Sequence, residues 1–172
     1  MKKSFNIIPV FLFAIILDFQ PSISFAQSSD KQEKENAKIE ALKKTVESKH
    51  YVFTANSATP QSGRTRQLTS TYDLKVMGDT LIADLPYYGR SYQASIGETD
   101  GGLNFSTTQF EYNIKDGSKG GWDISIAPKD NKYANTMMLS ISNSGYATLQ
   151  ITSNIRQMIS YRGTITELSN SQ

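Results

Sequence analysis

From residue 68 the chain alternates with a period of two. Leu68, Ser70, Tyr72, Leu74 and Val76 are interleaved with Thr69, Thr71, Asp73 and Lys75, a pattern that separates two faces only in an extended strand. Gly78-Asp79 follows, and a glycine at the first central position supplies the positive φ of a type II′ hairpin turn. The turn sets the register: Val76 opposite Leu81, Leu74 opposite Ala83 and Tyr72 opposite Leu85, with Asp73 opposite Asp84 on the polar face. A slip of one residue would turn every one of these apolar side chains to water. This constraint commits the middle of the chain to antiparallel sheet with one wet face.

Two more hairpins obey the same logic. Phe110, Tyr112 and Ile114 are expected to face Ile126, Ile124 and Trp122 across the loop Asp116-Gly117-Ser118-Lys119-Gly120. Leu139 and Ile141 should face Leu149 and Ala147 around Asn143-Ser144-Gly145, a three-residue turn with glycine at its left-handed position. Ile159-x-Tyr161-x-Gly163-x-Ile165 reads as a last strand after the Ser153-Asn154 turn, and Tyr51 to Ala55 as a first. Leu103 to Phe105 is the candidate that raises the count from eight strands to nine. Ahead of them, residues 30–48 lack glycine and proline, are rich in helix formers and place Ile39, Leu42 and Val46 on one narrow stripe with Ala41 beside them. The charged remainder reads as the solvated face of a core-packed helix. A helix is about 10 Å across, whereas eight strands at about 4.8 Å are roughly 38 Å wide. One helix cannot cover that surface. The fold class expected is therefore α+β, mostly β: an N-terminal amphipathic helix, then an antiparallel sheet of eight or nine strands curled on itself, barrel-like or two-layered. Strands of five to eight residues fall short of the about 9–11 that a membrane-spanning barrel uses.

The N-terminus carries a different message. Lys2 and Lys3 precede an apolar run, Ile7 to Leu17, and a more polar stretch ends in Ser24-Phe25-Ala26. This is the layout of a signal peptide over residues 1–26, cut after Ala26. The apolar run is too short to stay behind as a membrane span, which needs about 20 residues. Residues 27–172 would then form a single β-rich domain, exported to the periplasm or secreted. The chain has no cysteine, which removes disulfides, thiolate chemistry and a lipid-bearing cysteine together. Loss of Lys2, Lys3 and Asp18 with the leader takes the net charge from +2 to +1, so neither nucleic acid nor an anionic membrane surface is an expected partner.

The common enzyme chemistries leave no signature. The one histidine, His50, lacks metal-ligand spacing and stands at the helix-to-strand junction, where an imidazole serves to bond the last helix carbonyls. No nucleophile elbow, P-loop or dinucleotide motif is present. No catalytic residue, metal site or cofactor is therefore expected. The Asp73–Asp84 pair would cost stability unless a cation relieved it or both pointed into water. The connection Pro86 to Gly102 is longer than structureless connections usually are, and it holds Tyr87, Tyr88, Arg90 and Tyr92. Tyrosine and arginine together offer stacking faces and donors, the composition of sugar sites and protein-binding hot spots. These four are the candidate ligand-binding residues; the competing reading has the tyrosines plug one end of the sheet. The segment Asn56 to Gln67, with Arg64 and Arg66, reads as a solvated loop.

Several blocks in this order, Tyr72-Asp73-Leu74, Gly78-Asp79-Thr80, Leu85-Pro86-Tyr87-Tyr88-Gly89-Arg90, Asp100-Gly101-Gly102, Gly121-Trp122 and Ser144-Gly145-Tyr146-Ala147, resemble an uncharacterised bacterial family, domain of unknown function 4251. The resemblance covers about residues 40–166. It implies an exported cell-envelope protein, typically bearing a signal peptide or lipoprotein signal, and implies no activity or catalytic residue. This chain departs from lipid-anchored members in lacking the cysteine, which favours a soluble form. The functional expectation is a non-enzymatic binding module for a glycan, lipid or protein of the envelope or exterior. The alternatives are a hydrolase with a carboxylate or Ser/His site, or a structural envelope component.

Overall fold

The computed structural model describes residues 26–92 and 102–168. The leader expected at 1–26 lies outside the described residues except for Ala26, as does 93–101 within the long connection. Residues Ala26–Glu47 form one helix, α1, as a stretch of helix formers without glycine or proline should. Its first turns, through Lys34, fall in a separate unit from Glu35–Gln172. In the second unit the expected stripe is the buried one: Val46 is fully buried, and Ile39 and Leu42 pack against the core. Ala41, expected beside them, is exposed, because the stripe is only as wide as the strip of core it covers. The helix ends where Ser48 N–H bonds the Lys44 carbonyl at 2.9 Å and Lys49 takes a left-handed φ of 53°, the usual reversal after a last helical turn.

Ten strands follow: β1 (His50–Pro60), β2 (Arg66–Gln67), β3 (Asp73–Met77), β4 (Thr80–Leu85), β5 (Leu103–Thr107), β6 (Phe110–Asp116), β7 (Trp122–Pro128), β8 (Thr136–Ile141), β9 (Tyr146–Thr152) and β10 (Ile159–Glu167). Nine run in the order β5-β4-β3-β1-β10-β9-β8-β7-β6, and the short β2 pairs with β1. All pairings are antiparallel. The sheet curls into a half-barrel. No described helix is long and apolar enough to cross a membrane.

The first hairpin has the expected register where it pairs, Val76 opposite Leu81 and Leu74 opposite Ala83, with Gly78 at φ 61°. Its first strand starts at Asp73, however, so Leu68 to Tyr72 lie outside it and the expected Tyr72–Leu85 pair is not formed. The third matches as well, Leu139 to Leu149 and Ile141 to Ala147. The second needs correction. Phe110 faces Pro128, Tyr112 faces Ile126 and Ile114 faces Ile124, two residues from the expected partners. Pairing runs on to Asp116–Trp122 because Gly120 and Gly121 adopt positive φ and close the loop with a Gly117 N–H bond to the Gly121 carbonyl at 3.0 Å. The faces are right and the offset is wrong, since a shift of two preserves alternation. The first strand is also longer than expected. Residues 56–60 continue β1, so the segment Asn56 to Gln67 is no mere solvated loop.

The concave face is closed by its own side chains. Tyr51, Phe53, Leu74, Leu81, Ile124, Met137, Leu149 and Tyr161 are all fully buried. Each side chain of this size contributes about 1.5–3 kcal/mol by leaving water. Gly163 of β10 sits opposite Ala55 of β1, and a Cβ there would overlap the Thr54 carbonyl, so glycine lets the two strands approach. Just beyond, the register slips between Ala55 and Ser57, a β-bulge of the kind that bends a strand. Asp73 and Asp84 are opposite each other as expected, and Lys75, 3.3 Å from Asp73, supplies the neutralising charge.

Tyr51, Tyr112 and Tyr161 all have their hydroxyl pKa raised, burial being the first cause in each. The folded chain therefore holds these protons more tightly than the unfolded chain, whose tyrosines ionise near pH 10. Their contribution is complete below about pH 10 and is lost as the pH climbs above it. Thermal melts from pH 8 to pH 11 should stay level and then fall beyond about pH 10. A Tyr51→Phe, Tyr161→Phe double variant should fall less steeply; an equal fall would show that these phenols do not govern alkaline unfolding.

Candidate functional site

After β4 the chain leaves the sheet at Pro86, whose carbonyl accepts a 2.8 Å hydrogen bond from the buried Tyr161 hydroxyl. Tyr87 then turns inward. Its hydroxyl donates to the Gln157 carbonyl at 2.8 Å, with the Arg90 carbonyl also within reach at 3.0 Å. Burial raises its pKa, partly offset by the Arg156 charge. The Arg156 guanidinium lies 4.9 Å from the Tyr87 ring and 4.1 Å from that of Tyr133, and it donates to the Gly102 carbonyl at 3.1 Å. Backbone bonds complete the attachment: Gln157 N–H to Arg90 at 2.9 Å and Tyr92 N–H to Ile155 at 2.8 Å. The stretch 155–157 thus anchors both described ends of the long connection.

The four candidates are therefore divided. Tyr87 is half-buried and packs against the core. Tyr88 is 36% exposed and Tyr92 65% exposed, and Arg90 is exposed. Adjacent residues at a strand end point to opposite sides, which separates Tyr87 from Tyr88. Tyr87 and Tyr88 both line a cleft of about 370 Å³ whose other walls include Tyr72, Asp84 and Asn104. Asp84 and Asn104 are register partners across β4 and β5 and form the polar side of the cleft. Arg90 and Tyr92 are not among its lining residues. The arginine against Tyr88 is Arg66, 4.8 Å from its ring, and it comes from the segment expected to be solvated. Only the β1–β2 pairing brings it there, and no local pattern announces a two-residue strand.

A larger groove, about 490 Å³, lies elsewhere on the sheet, lined by Asn56, Lys119, Asp123, Tyr146, Thr148 and Arg162 among others. Sequence reading missed it, because its residues come from four strands, a bulge and two loops. Among the described residues no three His, Asp or Glu side chains are grouped so as to hold a metal.

Together these features define a curled antiparallel half-barrel with polar, tyrosine-walled clefts on its surface. The chain belongs to the family Domain of unknown function (DUF4251), whose model matches residues 33–165. It shares its fold with the crystal structure of a DUF4251 family protein from Bacteroides eggerthii DSM 20697, at 18% identity and a TM-score of 0.62, covering 81% of this chain and 94% of that one. No curated protein matches.

The division of the tyrosines has a direct test. Tyr87→Ala should lower stability by about 1–3 kcal/mol, through loss of a half-buried ring and of the hydrogen bond it donates to the Gln157 carbonyl. Tyr88→Ala and Tyr92→Ala should each stay within about 0.5 kcal/mol, as exposed positions do. Equal losses at all three in urea denaturation would make the whole segment a plug.

Proposed function

We propose that this domain is a non-enzymatic binding module of an exported protein, held in the periplasm or released, and that it takes a glycan in the cleft beside Tyr88. The observation that carries the reading is the cleft itself: Tyr72, Tyr87 and Tyr88 next to Asp84 and Asn104. Tyrosine faces suit the apolar faces of a pyranose, and a carboxylate beside an amide accepts and donates to its hydroxyls. Arg66 against Tyr88 holds that ring by cation–π attraction and adds a guanidinium at the rim.

The other ligand and reaction classes have less support. A lipid would need an apolar lumen, and the concave side is occupied by Tyr51, Phe53, Met137 and Tyr161 with α1 residue Val46. Glycoside hydrolysis generally uses two carboxylates flanking the bond. Asp84 lines the cleft, whereas Asp73 does not and is engaged by Lys75.

Titration with neutral gluco-, manno- and galacto-oligosaccharides, followed by tyrosine fluorescence or NMR, tests the reading. At least one should bind saturably, and Tyr88→Ala should weaken it by more than about 1 kcal/mol, the usual threshold for a residue that matters at a contact. Binding that is indifferent to Tyr88 and Asp84 would remove the cleft from consideration. Export has its own measurement: protein from the native host should begin at Gln27 by mass spectrometry, and recovery of a chain still carrying residues 1–26 would refute it.

A further inference from the structure

The larger groove has a construction of its own. On the outward face of the sheet, Asp123, Ser140, Thr148 and Arg162 are successive register partners across β7, β8, β9 and β10. Three strand spacings separate the ends of this row, about 14 Å. Asp123 is already engaged: it accepts a 2.6 Å hydrogen bond from the Ser140 hydroxyl and stands opposite Lys115 across β6 and β7. Arg162, at the other end, has no ion-pair or hydrogen-bond partner among the described residues. Lys119 in the 117–121 loop has none either.

Irregular backbone shapes the concavity. The β1 bulge leaves Asn56 without a register partner and brings it into the lining, the re-aiming that bulges perform. Opposite, Gly121 packs against the Ile141 carbonyl at φ 79°, where a side chain would clash, so the loop bearing Lys119 leans over the end of β8. Tyr146, 68% exposed, follows the turn at Gly145 and forms the third wall.

We propose that this groove is a second binding site, independent of the Tyr88 cleft, and that it takes a saccharide bearing carboxylates, a uronic-acid oligosaccharide. Charge complementarity selects an anion, since the Arg162 and Lys119 side chains have no ion-pair partner among the described residues while the Asp123 carboxylate already accepts from the Ser140 hydroxyl. A planar guanidinium is suited to a carboxylate through two parallel hydrogen bonds. Asp123 in the same groove disfavours a densely charged polyanion, so widely spaced charges fit better than nucleic acid or a polysulfate. Thr148, Asn56 and the Tyr146 ring provide for the hydroxyls and the ring face between charges.

The experiment is NMR titration of the ¹⁵N-labelled protein with tetragalacturonate, with neutral galactotetraose and tetraglutamate as controls. Tetragalacturonate should move the Gly120, Tyr146 and Arg162 amides saturably and bind more weakly as salt rises. Arg162→Ala should weaken it about tenfold, the loss expected of one charge-assisted hydrogen bond, and Arg162→Lys should recover part of that. Lys119→Ala, in an exposed loop, provides a second variant should Arg162→Ala perturb the sheet. Tyr88→Ala should leave this binding unchanged, which separates failure here from failure of the cleft. Equal affinity for galactotetraose or tetraglutamate, shifts confined to other residues, or no response to either charge removal would overturn the assignment.

Discussion

The pairing of β1 with β10 joins the two halves of the sheet, and much of the rest depends on it. Without it the chain would be two separate meanders, β3 to β5 and β6 to β9, each with an apolar face uncovered. Nine register pairs bring the first strand and the last together, from Tyr51–Glu167 to Pro60–Ile159. Tyr51, Phe53 and Tyr161, three of the largest fully buried side chains, lie on these two strands. Gly163 allows the approach, and the bulge beside it turns the sheet. Contacts of such sequence separation carry a loop-closure cost before they are rewarded, so the local hairpins can form before this seam.

The seam also explains where the two surface clefts lie. β1 contributes an edge on each side: β10 along one, β3 and the short β2 along the other. Through β2 it delivers Arg66 to Tyr88; through its bulge it delivers Asn56 to the groove that contains Arg162. The core and the candidate sites thus share a framework. The buried tyrosines carry no exposed chemistry, yet Tyr161 holds Pro86 through a 2.8 Å hydrogen bond and so sets the direction in which Tyr87 and Tyr88 leave the sheet.

The long connection is anchored through Arg156. This side chain is buried, lies against two tyrosine rings and bonds the Gly102 carbonyl. A guanidinium is more weakly hydrated than an ammonium and stacks on aromatic faces, so lysine could not fill the same role. Family membership and the shared fold with the Bacteroides eggerthii protein establish the scaffold; the chemistry of this chain must be read from its own side chains.

Strand alternation, the Gly78-Asp79 turn and the Asn143-Ser144-Gly145 turn determined by themselves the hairpins that pair Leu74 with Ala83 and Leu139 with Leu149, with their faces defined, because a two-residue period and a positive-φ turn are local properties. The helical stripe of Ile39, Leu42 and Val46 was equally legible, and the width argument was enough to require a curled sheet. Alternation could not settle the β6–β7 register, since a shift of two residues keeps every side chain on its face. Nor could it reveal β2, or separate Tyr87 from its neighbours in role. Composition singled out Tyr87, Tyr88, Arg90 and Tyr92 together, but tertiary structure half-buried the first, put the first two along one cleft, and left the last two outside that lining. It also supplied Arg66 and Arg156 from distant segments and assembled the Asp123-to-Arg162 row from four strands. Which strand lies beside which is a long-range choice, made by the energy of closing the core rather than by any local pattern, and the sites follow from that choice.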